Sequence, residues 1–241
     1  MREAVIVSIA RTPVGKAKKG GFAQTRIEDL GSTVLNAVIK RANGLKKEDV
    51  EDIIIGCAMP EGEQGLNVAR IISLYAGFPA STPAMTINRF CSSGLQSIAF
   101  AAERVMLGHA DVVIGGGVES MSHVPMSGFK MSPPHPQIVE EMPEIYMGMG
   151  FTAEEVAERY QVSRKDQDHF AVESHQKAAA AVKDGKFKEE IVPVHTVHKG
   201  VDENGKRWEK QCIVDTDEGI RSDTSVDILA GLKLHSSREG L

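Results

Sequence analysis

Hydrophobic positions in the first half of the chain alternate between two periods. Short apolar runs at Ala4 to Ile9, Ile53 to Gly56, Ala84 to Asn88 and Asp111 to Ile114 have the length and β-branched content of strands. Between them, Glu28 to Arg41 places Leu30, Val34, Ala37, Val38 and Arg41 at helical spacing, with Thr25-Arg-Ile-Glu28 as a capping box at its start. A second helix is expected over Asn67 to Tyr75 and a third from about Ser92 to Leu107, stopped by Gly108. This alternation predicts an α/β domain, a largely parallel or mixed sheet with helices on its faces. The third helix is apolar around most of its circumference, with only Gln96, Glu103 and Arg104 as large polar residues. Such a helix is expected to lie buried on all sides, in a middle layer.

From Met121 the pattern changes. Gly, Met, Pro and His cluster through Pro143, an irregular connection of the kind that is functional or crosses a surface. Thr152-Ala-Glu-Glu155 and Ser163-Arg-Lys-Asp166 read as helix starts, the second helix running to about Lys183 before Gly185. Ile191 to Val197 and Trp208 to Val214 then flank Asn204-Gly205 as a hairpin. The expected organisation is an α/β core over 1–119, an inserted α+β subdomain over 120–233 and a tail over 234–241.

Composition narrows the class. At about 150 residues per domain, 241 residues make one large domain or a domain with an insertion. Hydrophobic residues at 41% and charged residues at 25% are ordinary globular usage, which argues against disorder and fibrous repeats. A net charge of -5 argues against a general attraction to nucleic acid or anionic membrane, and no apolar run approaches the ~18 residues of a membrane helix. Cys57, Cys91 and Cys212 are too few and too scattered for a disulfide framework, so a soluble protein of the reducing cytoplasm is expected.

One of those thiols stands in a position with chemical use. Asn88-Arg-Phe-Cys91-Ser-Ser-Gly94 puts a cysteine between a predicted strand and the N-terminus of a predicted helix. First-turn N–H groups there lack partners and carry partial positive charge, which favours a thiolate and a developing oxyanion. Ser92, Ser93 and Gly94 leave room for a carbonyl compound to approach. A helix end contributes only about 0.3–1 kcal/mol, so a base is needed as well. On spacing alone, a buried structural cysteine fits the same pattern.

Five segments carry a resemblance. Arg11-Thr-Pro-Val-Gly15, Asn88 to Ile98 around Cys91, Gly115-Gly-Gly-Val-Glu-Ser-Met-Ser122, Met149-Gly-Phe-Thr-Ala-Glu154 and Ser163-Arg-Lys-Asp-Gln-Asp168 together resemble the thiolases (acetyl-CoA acyltransferases) in order and spacing over about residues 1–233. The resemblance implies the N-terminal half of a thiolase-like layered fold, with a mixed five-stranded sheet, helices on both faces and an inserted loop subdomain. It also implies a two-step acyl transfer, or in reverse the Claisen condensation of acetyl-CoA: Cys91 attacks the 3-keto carbon of a 3-ketoacyl-CoA, acetyl-CoA leaves, and CoA takes the acyl group from the thioester. By the same carry-over, Met149 packs beside the acyl pocket, and Arg221 and Leu232 line the CoA path. Gly148 stands where family members often carry a pocket histidine. Cys-Ser-Ser-Gly is more similar to the degradative 3-ketoacyl-CoA enzymes than to the biosynthetic ones. No cofactor or metal beyond the co-substrate CoA is implied, and a homo-oligomer, dimer or tetramer, is expected.

Other features point elsewhere less well. Gly115-Gly116-Gly117 reads as a tight turn, because no helix pattern follows to complete a dinucleotide loop. His195 and His198, three apart in a strand-like run, fall on opposite faces and do not suit a shared metal. Lys16, Lys18 and Lys19 read as a solvated loop, able to help if a CoA phosphate lies near. The family's Gly-His-Pro base and its second cysteine in Cys-x-Gly-Gly-Gly do not occur in these residues, and the match stops after Leu232-Lys233. These features suggest a truncated or frame-shifted product, or a fragment, with weak or no turnover and an uncovered apolar helix. The competing readings are an acyl-transfer enzyme acting through Cys91, a catalytically silent half that binds CoA esters or assembles with another chain, and the related ketoacyl synthases, which the Met149 segment disfavours.

Overall fold

The computed structural model describes residues 2–129 and 133–233; the tail drawn at 234–241 lies outside the described residues. By packing, the chain divides into two compact units. The first comprises the described residues of Met1–Lys130 and Lys188–Gly219, the second those of Met131–Phe187 and Ile220–Leu241. The hairpin segment thus packs with the α/β core, whereas the pattern along the chain grouped it with the inserted helices.

In the first unit, strands β1 (Asp52–Gly56), β2 (Ala84–Ile87) and β3 (Val113–Gly117) form a parallel sheet in the order β2-β1-β3. The central strand is buried along its whole length, as expected of an apolar run covered on both faces. Helices α1 (Ile27–Arg41), α2 (Val68–Tyr75) and α3 (Ser93–Met106) follow the connections between extended segments, close to the predicted spans. Asn67 caps α2 through its side-chain oxygen. The core joins Ile27 and Leu35 of α1, Ile53 and Ile55 of β1, Val68, Ala69 and Ile72 of α2, and Val50, Cys57 and Phe78.

Several local expectations are corrected. Thr25 does not open a capping box; α1 begins after Arg26 without a side-chain cap, and the Thr25 hydroxyl is instead hydrogen-bonded to that of Thr196. Gly115 to Gly117 are not a turn but the body of β3. Residues 4–9 have no assigned secondary structure and pair with no strand, so the sheet among the described residues has three strands, all parallel, where the resemblance implied five. Helix α3 buries only Ser93, Ser97 and Ala101, and Leu95 is 74% exposed; its apolar residues outnumber the neighbours available to cover them.

An antiparallel hairpin, β4 (Val194–Val201) and β5 (Arg207–Val214), completes the first unit. Val194 and Thr196 face inward and His195 outward, so His195 and His198 do lie on opposite faces, with His198 Nε2 2.8 Å from the Gly21 carbonyl. The Arg11 guanidinium reaches Asp217 through two nitrogens (2.7 and 2.9 Å) and Glu190 through Nε (2.6 Å), tying the Arg-Thr-Pro segment to the ends of the hairpin region. This bidentate contact holds the Asp217 carboxyl below its ordinary range.

The second unit contains α4 (Pro136–Glu141), α5 (Met149–Arg159), α6 (Arg164–Lys183) and α7 (Val226–Ala230). Helix α5 starts at Met149 after Gly148, so Thr152 lies within it rather than at its start. The Ser163–Asp166 capping box forms as expected. Arg164 pairs with Asp168 one turn on and donates to the Leu229 carbonyl at 2.6 Å, joining α6 to α7. Among the described residues no helix is long and apolar enough to cross a membrane.

Candidate active site

Cys91 is exposed, and it sits where β2 gives way to α3. The turn that presents it is held tightly. Phe90, the residue before it, has φ +47°, a left-handed conformation that side-chain-bearing residues seldom adopt. Asn88 accepts from the Phe90 N–H at 2.8 Å and donates to the Ala58 carbonyl at 3.1 Å. Ser93, buried, accepts from the Arg89 N–H at 2.8 Å and donates to the Phe90 carbonyl at 2.6 Å. No side chain caps α3, which leaves its first turn open to an incoming anion or oxyanion.

Glycines let this helix start sit directly on the sheet. A Cβ on Gly56 would meet the Ser93 carbonyl carbon at 2.3 Å, one on Gly115 the Ile98 Cα at 2.8 Å, and one on Gly117 the Gly94 Cα at 3.1 Å. This close approach requires glycine at positions 115 and 117 of β3, whereas a Cβ on Gly116 would meet nothing within 4 Å. Ser97, fully buried, lies 2.6 Å from both the Gly94 and Gly116 carbonyl oxygens, so its proton ties helix to strand.

A second network braces the neighbouring loops. Gln64, fully buried, donates to Glu119 at 2.6 Å and to the Met59 carbonyl at 2.9 Å, and accepts from the Ser120 N–H. Glu119 also accepts from the Ala58 N–H at 2.7 Å. The loop after β1 and the loop after β3 are thereby fixed to each other, at the ends of the strands that flank the seat of α3. The sequence pattern gives no sign of Gln64, since nothing local marks a glutamine as buried.

The three cysteines differ sharply. Cys57 is buried against the core, and burial, aided by the charge of Glu119, pushes its thiol up to about 11. Cys212 is half-buried on β5. Cys91 is the exposed one, and among the described residues no side chain hydrogen-bonds to its sulfur. No group of three potential metal ligands occurs among the described residues.

The other residues singled out from sequence belong to the second unit. Met149 is the first residue of α5 and is 73% exposed. Arg221 precedes α7 with its side chain exposed, and its main-chain N–H donates to His175 Nδ1 at 3.1 Å. Leu232 follows α7, half exposed, and its carbonyl accepts from Arg164 at 3.3 Å.

A parallel α/β layer that offers one exposed thiol on a strand-to-helix turn defines the class: an α/β protein that presents a cysteine at the start of a helix. The particular family follows from comparison. The thiolase N-terminal domain matches residues 4–240. The 3-ketoacyl-CoA thiolase of Bacillus subtilis (strain 168) is 55% identical over 240 residues, covering 100% of this chain and 61% of that protein. The peroxisomal 3-ketoacyl-CoA thiolase 5 of Arabidopsis thaliana is 44% identical over 238 residues, 98% of this chain and 51% of that protein. The crystal structure of the Bacillus anthracis acetyl-CoA acetyltransferase matches with a TM-score of 0.82 at 32% identity, covering 99% of this chain and 60% of that one. The chain belongs to the thiolase family and has the thiolase-like fold; it spans about half to three-fifths of the length of these relatives.

Proposed function

We propose that this chain supplies the acyl-accepting thiol of a 3-ketoacyl-CoA thiolase. In the forward direction the Cys91 sulfur, having lost its proton to a base, adds to the 3-keto carbon. The bond between C2 and C3 breaks, C2 takes up a proton and leaves as acetyl-CoA, and the acyl group stays as a thioester on Cys91. The thiol of a second CoA then displaces it, giving an acyl-CoA two carbons shorter and restoring the cysteine. Family membership and the exposure of Cys91 at the uncapped start of α3 carry this reading.

Met149 is assigned to the acyl pocket, supported by the segment it opens, and Arg221 and Leu232 to the CoA path, supported by their place within the family match and by their exposure. A planar guanidinium suits adenine stacking or a phosphate. Gly148 in place of a histidine removes one contact to the pantetheine arm. The substrates are CoA and acyl-CoA with no metal, the direction is degradative, and the compartment is the cytoplasm, in keeping with three free thiols. A homo-oligomer is the working form.

A second reading, a catalytically silent CoA-ester-binding or assembly module, is favoured by the lack, among the described residues, of a base hydrogen-bonded to the Cys91 sulfur. Incubation with acetyl-CoA followed by peptide mass mapping separates the two. Acyl transfer predicts one acetyl group on Cys91, absent in Cys91→Ala. Retention of acetyl-CoA with no covalent gain supports the silent module and overturns the first reading.

A further inference from the structure

The three parallel strands end level with one another: Gly56 of β1 stands beside Ile87 of β2 and Gly117 of β3. The chain leaving each strand therefore emerges on one edge of the sheet, the edge that carries Cys91. Two main-chain bonds reach past the strands, from the Cys57 N–H to the Ile87 carbonyl at 3.0 Å and from the Val118 N–H to the Gly56 carbonyl at 2.9 Å. Ala58 is the first residue beyond them after β1, and among the described residues it makes no main-chain to main-chain hydrogen bond. Side chains from the other two strand ends hold it instead. Glu119 Oε2 accepts its N–H at 2.7 Å, and Asn88 Nδ2 donates to its carbonyl at 3.1 Å.

The same Asn88 supports the turn at Phe90, whose N–H its Oδ1 accepts at 2.8 Å. A carboxamide has one accepting end and one donating end, so it serves Phe90 only while its nitrogen is turned to Ala58; reversed, two donors would face each other. The place of Ala58 thus selects the orientation of Asn88, and Glu119 selects the place of Ala58. Glu119 is set in its turn by the fully buried Gln64, which donates to the other carboxylate oxygen at 2.6 Å. We propose that Glu119 and Gln64 are positioning residues for the Cys91 thiol, acting through Ala58 and Asn88 on the left-handed turn that precedes it. Neither is hydrogen-bonded to the sulfur; together they keep it at the start of α3, where the open N–H groups favour a thiolate. The inference rests on Cys91 as the reacting group of the proposed function.

Alkylation of Cys91 by iodoacetamide, followed by peptide mapping, tests it without acyl-CoA, so a failure of acetyl transfer overturns the proposed function while these rates still decide the positioning. Glu119→Ala and Asn88→Ala are each expected to slow alkylation by about two- to fivefold, the share of thiolate that a helix start is worth. The pair together is expected to be no slower than Asn88→Ala alone, because both lie on one path. Multiplied effects in the pair, or an unchanged rate in either single variant, overturn the proposal. Gln64→Glu combined with Glu119→Gln restores a carboxylate-to-amide bond and leaves an oxygen for the Ala58 N–H, so its rate is expected within about twofold of the parent's; a slower rate overturns the assignment of Gln64. Ser163→Ala, which weakens the cap of α6 in the second unit, is expected to leave the rate unchanged. Equal slowing there shows lost stability to be the cause and overturns the proposal. Should Glu119→Ala fail to fold, Glu119→Gln takes its place in the same comparison, since one amide oxygen cannot keep both contacts of the carboxylate.

Discussion

Cys91 owes its presentation to the residue before it. Phe90 in the left-handed region costs about 1–3 kcal/mol, and Asn88 and Ser93 hold it there through hydrogen bonds on either side. The result is one reachable thiol and one inert one. Iodoacetamide at pH 8 is expected to label Cys91 in the folded chain, while Cys57, raised to about 11 by burial, reacts only on unfolding; peptide mapping over time reads the order, and early labelling of Cys57 contradicts the assignment. Asp217 carries a different prediction. Its folded pKa is lowered by Arg11 below the unfolded value of about 3.9, so its stabilisation is present above that pH and is lost as pH falls through the folded value. Asp217→Asn is expected to cost about 1–2 kcal/mol at pH 7 and to leave the variant and the parent closer in stability at pH 2–3. Urea melts at the two pH values decide it, and an equal loss at both shows that charge is not the cause.

At the scale of elements, the position of α3 on the sheet is what aims the cysteine. Gly56 admits Ser93 at backbone contact, so Gly56→Ala is expected to destabilise by about 1–3 kcal/mol and to change the rate of Cys91 alkylation, since the helix start must shift. A stability loss with an unaltered alkylation rate would separate the seat from the presentation of the thiol. Ser97→Ala removes the tie between Gly94 and Gly116 and is expected to cost about 1–3 kcal/mol, read by denaturant midpoint. In the second unit, Ser163→Ala removes the α6 cap at a cost of about 1 kcal/mol, read as lost helical signal on thermal melting; an unchanged melt discounts the capping box.

For the molecule as a whole, the outward residues of α3 set its tendency to associate. Leu95 and Phe90 are largely exposed, beside the site itself. Exposed apolar patches promote contact with other copies, so the chain is expected to show a concentration-dependent sedimentation coefficient that Leu95→Lys reduces without lowering the melting temperature. An unchanged sedimentation profile would place the contact elsewhere.

The residues alone were enough for the α/β class, most helix and strand spans, the capping box at Ser163 and the strand-to-helix position of Cys91, because periodicity, caps and a small-residue turn are local properties readable over a few positions. They were misleading where the outcome depended on distant partners. Residues 4–9 have strand chemistry, but a strand exists only when another edge supplies its hydrogen bonds. The apolar circumference of α3 implied burial, which only neighbouring layers can provide. Gly115 to Gly117 looked like a turn because the packing of α3 on Gly115 and Gly117 leaves no mark in their own local pattern. Gln64, the two-sided grip of Arg11, and the contrast between a buried Cys57 and an open Cys91 likewise arise from contacts between segments far apart along the chain, and only their packing in three dimensions could decide them.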